Sequence, residues 1–256
     1  MIAPRFFDAH GHLQDPRVGP EVAALLQRAS AARVEGVACC GTGPGDWDAV
    51  LDLASRHPSI HPLLGLHPWR VPDAPQGWVE GLRRRLEGSG AGLGECGLDF
   101  GRAGDREAQV AAFRAQLRLA RELDRPLALH CVKAWGPFLA ILREEGLPAA
   151  GGMVHAYSGS AEVARDLQAL GLALSFAGSV GRPGGRRALE AAQAVRRDRL
   201  LVESDTPDQG PGGGPSEPAQ VPEVAALLAR IRGESVEALA AATCANARAL
   251  FGGCRA

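Results

Sequence analysis

Short runs of consecutive apolar residues recur along the chain, separated by longer segments whose apolar residues fall at helical spacing. The short runs predict strands at 5–9, 36–41, 62–66, 92–97, 126–130, 152–156, 173–177 and 200–204. The intervening patterns predict helices over 22–33, 46–56, 77–86, 106–123, 135–145, 161–170 and 186–195, with two more, 221–230 and 235–251, closing the chain. Strands that are apolar on both faces and alternate with helices belong in a parallel sheet covered on both sides. Eight such units in 256 residues predict a (β/α)₈ TIM barrel as one domain spanning 1–256. The competing architecture, an open doubly wound sheet, lacks its G-x-G-x-x-G fingerprint after a strand.

Composition changes this picture little. With 46% apolar and 22% charged residues the chain is globular, and a net charge of -1 supplies no global attraction for nucleic acid. Phosphate binding must therefore come from metals or a local basic patch. The arginine clusters at 83–85 and 196–199 read as solvated helix faces. Six cysteines without a CxxC pair read as reduced core thiols of a cytoplasmic protein. The N-terminus has no signal-peptide pattern, and no apolar run is long enough to span a membrane. Nothing marks a self-complementary interface, so a monomer is expected. The glycine- and proline-rich stretch 209–215 is expected as a loop beside the site.

Candidate chemistry collects at the C-terminal ends of the predicted strands. His10, His67, His130 and His155 each stand there, with His12 two residues beyond His10, Glu95 on the fourth strand and Asp205 after the eighth. In a parallel barrel these ends share one face, so ligands remote in sequence converge. The His-x-His pair directs two imidazoles to one side of a strand, which suits a cation. Glu95, buried in an apolar strand, requires a metal or an arginine, and its flanking glycines leave room for a ligand. Asp205 is placed to hold a water and take its proton. Asp8 is either an acceptor for an imidazole N–H or a polar strand end, and Glu203 is a deeper ion-pair partner. Asp99 reads as a loop or helix-start residue, with a substrate-facing role as the alternative.

Taken in order, Asp8-Ala9-His10-Gly11-His12-Leu13, Gly65-Leu66-His67-Pro68, Gly94-Glu95-Cys96-Gly97-Leu98-Asp99, His130-Cys131, His155-Ala156-Tyr157-Ser158-Gly159 and Glu203-Ser204-Asp205-Thr206-Pro207 resemble the TatD family of metal-dependent deoxyribonucleases. Thr243 to Phe251 resembles its closing helix. Departures are Cys96 for the usual Ile, Ala156-Tyr157 for Cys-Phe, Ser204 for Thr, and Ser216-Glu217-Pro218 where the family has Arg-Asn-Glu-Pro. None removes a ligand.

The resemblance implies an amidohydrolase-like barrel with two divalent ions, Zn, Mn or Mg. His10, His12, Glu95 and Asp205 then hold one ion, and Glu95 bridges to a second held by His130 and His155. Related barrels bridge with a carboxylated lysine on strand four; here that strand carries Glu95, and the only lysine, Lys133, follows strand five. The implied reaction is 3′-5′ exonucleolytic cleavage of single-stranded DNA, or RNA, by an activated water, with Asp205 and Glu95 as catalytic groups. His67, Tyr157, Ser158 and Arg182 are the candidate substrate contacts. For His67 the alternative is a loop-capping role, and for Arg182 and Arg186 a solvated helix start. The competing function is ester or amide hydrolysis, such as deacylation of D-aminoacyl-tRNA; a non-catalytic barrel is disfavoured by the intact ligand set.

Overall fold

The computed structural model describes residues 3–182 and 185–256. Eight strands, β1 (Phe6–Gly11), β2 (Val34–Cys40), β3 (Ile60–Leu64), β4 (Gly92–Asp99), β5 (Leu127–Val132), β6 (Gly152–Val154), β7 (Ala173–Phe176) and β8 (Leu200–Val202), form one sheet in sequential order. Every neighbouring pair is parallel. The ring closes where Gly11 bridges Thr206 and where the Asp205 amide donates to the His10 carbonyl at 3.0 Å. The expected (β/α)₈ barrel is thus the observed fold.

Helices α1 (Val22–Ala31), α2 (Trp47–Arg56), α3 (Trp78–Glu87), α4 (Arg106–Glu122), α5 (Trp135–Glu145), α6 (Ala161–Ala169) and α7 (Arg186–Ala194) follow the first seven strands. Two more, α8 (Val221–Arg232) and α9 (Val236–Phe251), follow the eighth. Their starts are set by side chains that accept otherwise unpaired amides: Asp105 from Ala108 N, Ser160 from Val163 N and Ser235 from Ala238 N. The outer core lies between strands and helices, with Phe113 stacked on Phe138 at its centre. A second cluster fills the barrel and its floor: Phe7, Ala9, Leu63, Met153 and Leu201 pack with Ala247, Phe251 and Cys254 from the C-terminal end of α9 and beyond. All six cysteines are buried and free. No helix among the described residues is long and apolar enough to cross a membrane.

Three strand ends differ from expectation in ways that place the site. β4 does not stop at Gly97 but continues to Asp99. β6 and β8 end early, because Ala156 (φ 42°) and Asp205 (φ 53°) turn the backbone into the left-handed region just past them. For a non-glycine residue that conformation costs about 1–2 kcal/mol, and here it swings His155 and Asp205 over the mouth.

Candidate metal centre

Glu95 is the hub of the mouth. Its Oε2 lies 3.3 Å from His10 Nε2 and 3.2 Å from His12 Nε2. Its Oε1 lies 2.8 Å from both His130 Nδ1 and His155 Nε2, and 3.3 Å from His67 Nε2. Asp205 Oδ1 stands 3.7 and 3.8 Å from the His10 and His12 nitrogens. Donor atoms about 2.1 Å from a shared cation sit about 3.0–3.4 Å apart; the His10 and His12 contacts to Oε2 fall in that range, the His130 and His155 contacts to Oε1 are a little shorter and Asp205 a little longer. Three groupings of potential ligands result: His10, His12, Asp205; His10, Glu95, His155; and His67, Glu95, His130.

The outer nitrogen of each ring decides what its inner nitrogen offers. His12 Nδ1 faces the Cys40 carbonyl at 2.8 Å, so its proton sits there and Nε2 presents a lone pair. His130 Nε2 faces Asp99 Oδ2 at 3.3 Å, and His155 Nδ1 lies 3.5 Å from Glu203 Oε1. His130 Nδ1 and His155 Nε2 stand 3.0 Å apart with Glu95 Oε1 2.8 Å from each, while His155 Nδ1 is buried without a hydrogen-bond partner among the described residues. Three such atoms at one point need a positive charge among them, a proton or a metal ion: without an ion, against burial, Glu95 and Glu203 raise His155 well above the ordinary imidazole range, and Asp99 and Glu95 raise His130. This donor set therefore fits a metal, and its mixture of imidazole and carboxylate without thiolate suits Zn²⁺, Mn²⁺ or related ions.

His67 differs. Its Nδ1 accepts the Trp69 amide at 3.1 Å, capping the turn Pro68–Asp73, so the proton belongs on Nε2. That nitrogen is then a donor to Glu95 Oε1 rather than a ligand. Burial holds the ring's pKa down at about 4, which keeps it neutral. The capping and site-facing readings of this histidine meet in one ring. His10 is likewise held near 4, by burial and by the His155 ring. His12 rises to about 9 because Glu95 and Asp205 outweigh its burial. Glu95 is held well below the carboxylate range, against burial, by the surrounding imidazoles, whereas burial pushes Asp205 up to about 6.

The supporting residues depart from expectation in two places. Asp8 accepts no imidazole N–H; it takes the amides of His10 and Ser204 and the Ser204 hydroxyl, stapling β1 to the loop after β8. The glycines around Glu95 leave room for the neighbouring strand rather than for a ligand. A Cβ on Gly97 would stand 1.9 Å from the His130 carbonyl oxygen, and one on Gly94 2.7 Å from the Ala128 carbonyl oxygen. Close approach of β5 is what brings His130 against Glu95.

A cavity of about 1200 Å³ opens above the centre. Tyr157 and Ser158 line it, Tyr157 with its hydroxyl donating to the Ser160 carbonyl at 2.7 Å. Arg182 is exposed and is not among the lining residues. The positive charge comes instead from Arg17, Arg102, Lys133, Arg186 and Arg187, of which the sequence pattern marks Arg186 but not Arg17 or Arg102. Asp99, expected as a loop residue, ends β4 and ties His130 to the Trp69 indole, whose Nε1 donates at 2.7 Å. Burial works against its ionisation, yet His130, the Gly101 amide and the indole bring it down to about 2. These residues sit in loops at the strand ends that the histidines already mark, the one signal the chain offers for them.

Residues 7–252 match the family model described as TatD related DNase. The chain is 31% identical over 252 residues to the uncharacterized metal-dependent hydrolase YabD of Bacillus subtilis, covering 96% of this chain and 98% of that protein. It is 32% identical over 257 residues to the 3′-5′ ssDNA/RNA exonuclease TatD of Erwinia amylovora, covering 96% and 99%. Among solved structures it resembles the crystal structure of YjjV, a TatD homologue from Escherichia coli, with a TM-score of 0.90 and 30% identity over 97% and 98% of the two chains. A barrel in which one glutamate gathers five histidines and one aspartate, matched along nearly its whole length, belongs to the TatD family of metal-dependent hydrolases.

Proposed function

We propose that this chain is a 3′-5′ exonuclease acting on single-stranded DNA or RNA, with two divalent ions, Zn, Mn or Mg, bound on the two sides of Glu95. The observation that carries the reading is the division of the Glu95 oxygens, Oε2 toward His10 and His12 and Oε1 toward His130 and His155. When bound, such ions lower the pKa of water and neutralise charge that builds on the phosphate oxygens. The protein's own groups do the rest. Asp205, fixed through its backbone to His10, orients the attacking water and accepts its proton. His67 donates its single Nε2–H to Glu95 Oε1 and so holds that carboxylate in place. Tyr157 and Ser158 shape the wall, and the arginines and lysine of the rim attract the phosphates that a net charge of -1 does not.

Six free thiols suit a reducing cytoplasm.

The test is hydrolysis of 5′-labelled single-stranded DNA by metal-reconstituted protein and by Asp205→Asn. Stepwise loss of mononucleotides from the 3′ end is expected, slowed about 10²–10⁴-fold in the variant. Equal rates would remove Asp205 from the mechanism. Inactivity of the wild type on every oligonucleotide would overturn the nuclease reading in favour of ester or amide hydrolysis, as in D-aminoacyl-tRNA deacylation.

A further inference from the structure

Trp69 is the one large hydrophobic side chain exposed among the described residues, at 44%. It is not loose. Its Nε1 is pinned to Asp99 Oδ2 at 2.7 Å, and its ring packs edge-on against His67 with centroids 4.7 Å apart. It lies 6.2 Å from the His130 ring, on the wall of the cavity above the metal centre. An indole held rigid yet left in water forgoes the burial its size would bring, and a fixed aromatic face beside reacting groups is suited to binding a flat ligand.

One face of that indole is already taken by a planar group. The Arg102 guanidinium carbon stands 3.4 Å from the ring centroid, at stacking distance. Arg17 on the same rim is paired with Asp15 and Asp208, and Arg186 with Glu190. Arg102 forms no ion pair among the described residues, so only the stack holds it. The exposed face of the indole thus already accepts a flat, delocalised group, beside the His67 and His130 rings of the centre.

We infer that Trp69 is the stacking platform for the nucleobase adjoining the scissile phosphate, and that Arg102 occupies that face until a base displaces it and then covers the base's outer face. The inference rests on the phosphodiesterase reading above and adds to it a determinant of substrate recognition. Stacking is tolerant of base identity because every base presents a π face. That suits an enzyme that must accept each successive nucleotide at a chain end.

The experiment is a calorimetric titration of the metal-loaded, full-length protein with dAMP and with 2-deoxyribose 5-phosphate, for wild type, Trp69→Phe and Trp69→Ala. The wild type should prefer dAMP by about tenfold or more. Trp69→Phe, which loses the bond to Asp99 but keeps a ring, should retain most of that preference. Trp69→Ala should bring the two ligands within about twofold of each other, read as the ratio of their affinities within that one variant. If the alanine variant does not fold, quenching of indole fluorescence by dAMP in wild type and its loss in Trp69→Phe reads the same contact. A preference that survives in Trp69→Ala, or quenching unchanged in Trp69→Phe, overturns the inference, as does its absence from the wild type. Cleavage of oligonucleotides without any preference for dAMP would overturn the stacking platform alone. A preference lost in Trp69→Ala, in a protein that cleaves no oligonucleotide, would overturn the nuclease reading alone.

Discussion

The barrel carries a glutamate at each end of its strands, and the two are neutralised by opposite means. At the floor, Glu35 near the start of β2 is held by Arg5 and Arg248 and by the Cys244 thiol, tying α9 to the barrel. At the mouth, Glu95 meets five imidazoles and, among the described residues, no arginine or lysine. Guanidinium is a permanent cation, so the floor pair is complete as folded. Imidazole is a cation only while it holds a proton, so at the mouth the charge that meets Glu95 is exchangeable, a proton giving way to a metal ion. The histidines of β3 and its following loop repeat the contrast. His61 at the floor packs at a tilt against Phe7 and meets Arg255, while His67 at the mouth aims its Nε2 at Glu95. One end of the fold is closed by fixed charge and packing, and the other is left open to a cation.

Substitutions that break this contrast should fall in a definite order. Glu95→Gln keeps the shape and removes the charge shared by both ion sites; kcat/KM on labelled oligonucleotide should fall by about 10³-fold or more. Gly97→Ala comes next. Its new methyl would meet the His130 backbone oxygen, which has nowhere to go, so thermal denaturation should show a loss of about 3 kcal/mol or more. The floor counterpart Gly36→Ala meets the Phe7 ring and should cost less, about 1–3 kcal/mol, because a side chain can repack where a strand cannot. Smallest is Glu35→Gln: its arginines are largely exposed, so stability should change by about 1 kcal/mol or less, with activity intact. Comparable activity losses in Glu35→Gln and Glu95→Gln would erase the distinction between the two ends.

Much of this architecture is legible in the sequence, for physical reasons that also mark where legibility stops. Strands buried on both faces print continuous apolar runs, so all eight are visible, and the end of a strand is where a ligand histidine becomes conspicuous. The turn of the backbone at Ala156 and Asp205 has no such signature, which is why the pattern makes β6 and β8 too long. Gly97 looks like a strand end because glycine usually interrupts; here it continues the strand and lets β5 approach. Nearness in sequence draws Asp8 toward the imidazoles, but its partners come from Ser204, far along the chain, as well as from the His10 amide. The rim is the least legible part. Arg182 lies in the expected loop, but Arg17 and Arg102 reach the cavity through loop conformations that no periodicity encodes.

The claim on which the rest depends is that Glu95 divides its two oxygens between two cations. Equilibrium dialysis against cobalt(II), with the metal counted per chain, tests it most directly. Wild type should retain two ions, and Glu95→Gln, still folded by circular dichroism, should retain one at most. A wild type that saturates at a single ion, or a Glu95→Gln that still binds two with unchanged affinity, would contradict the account.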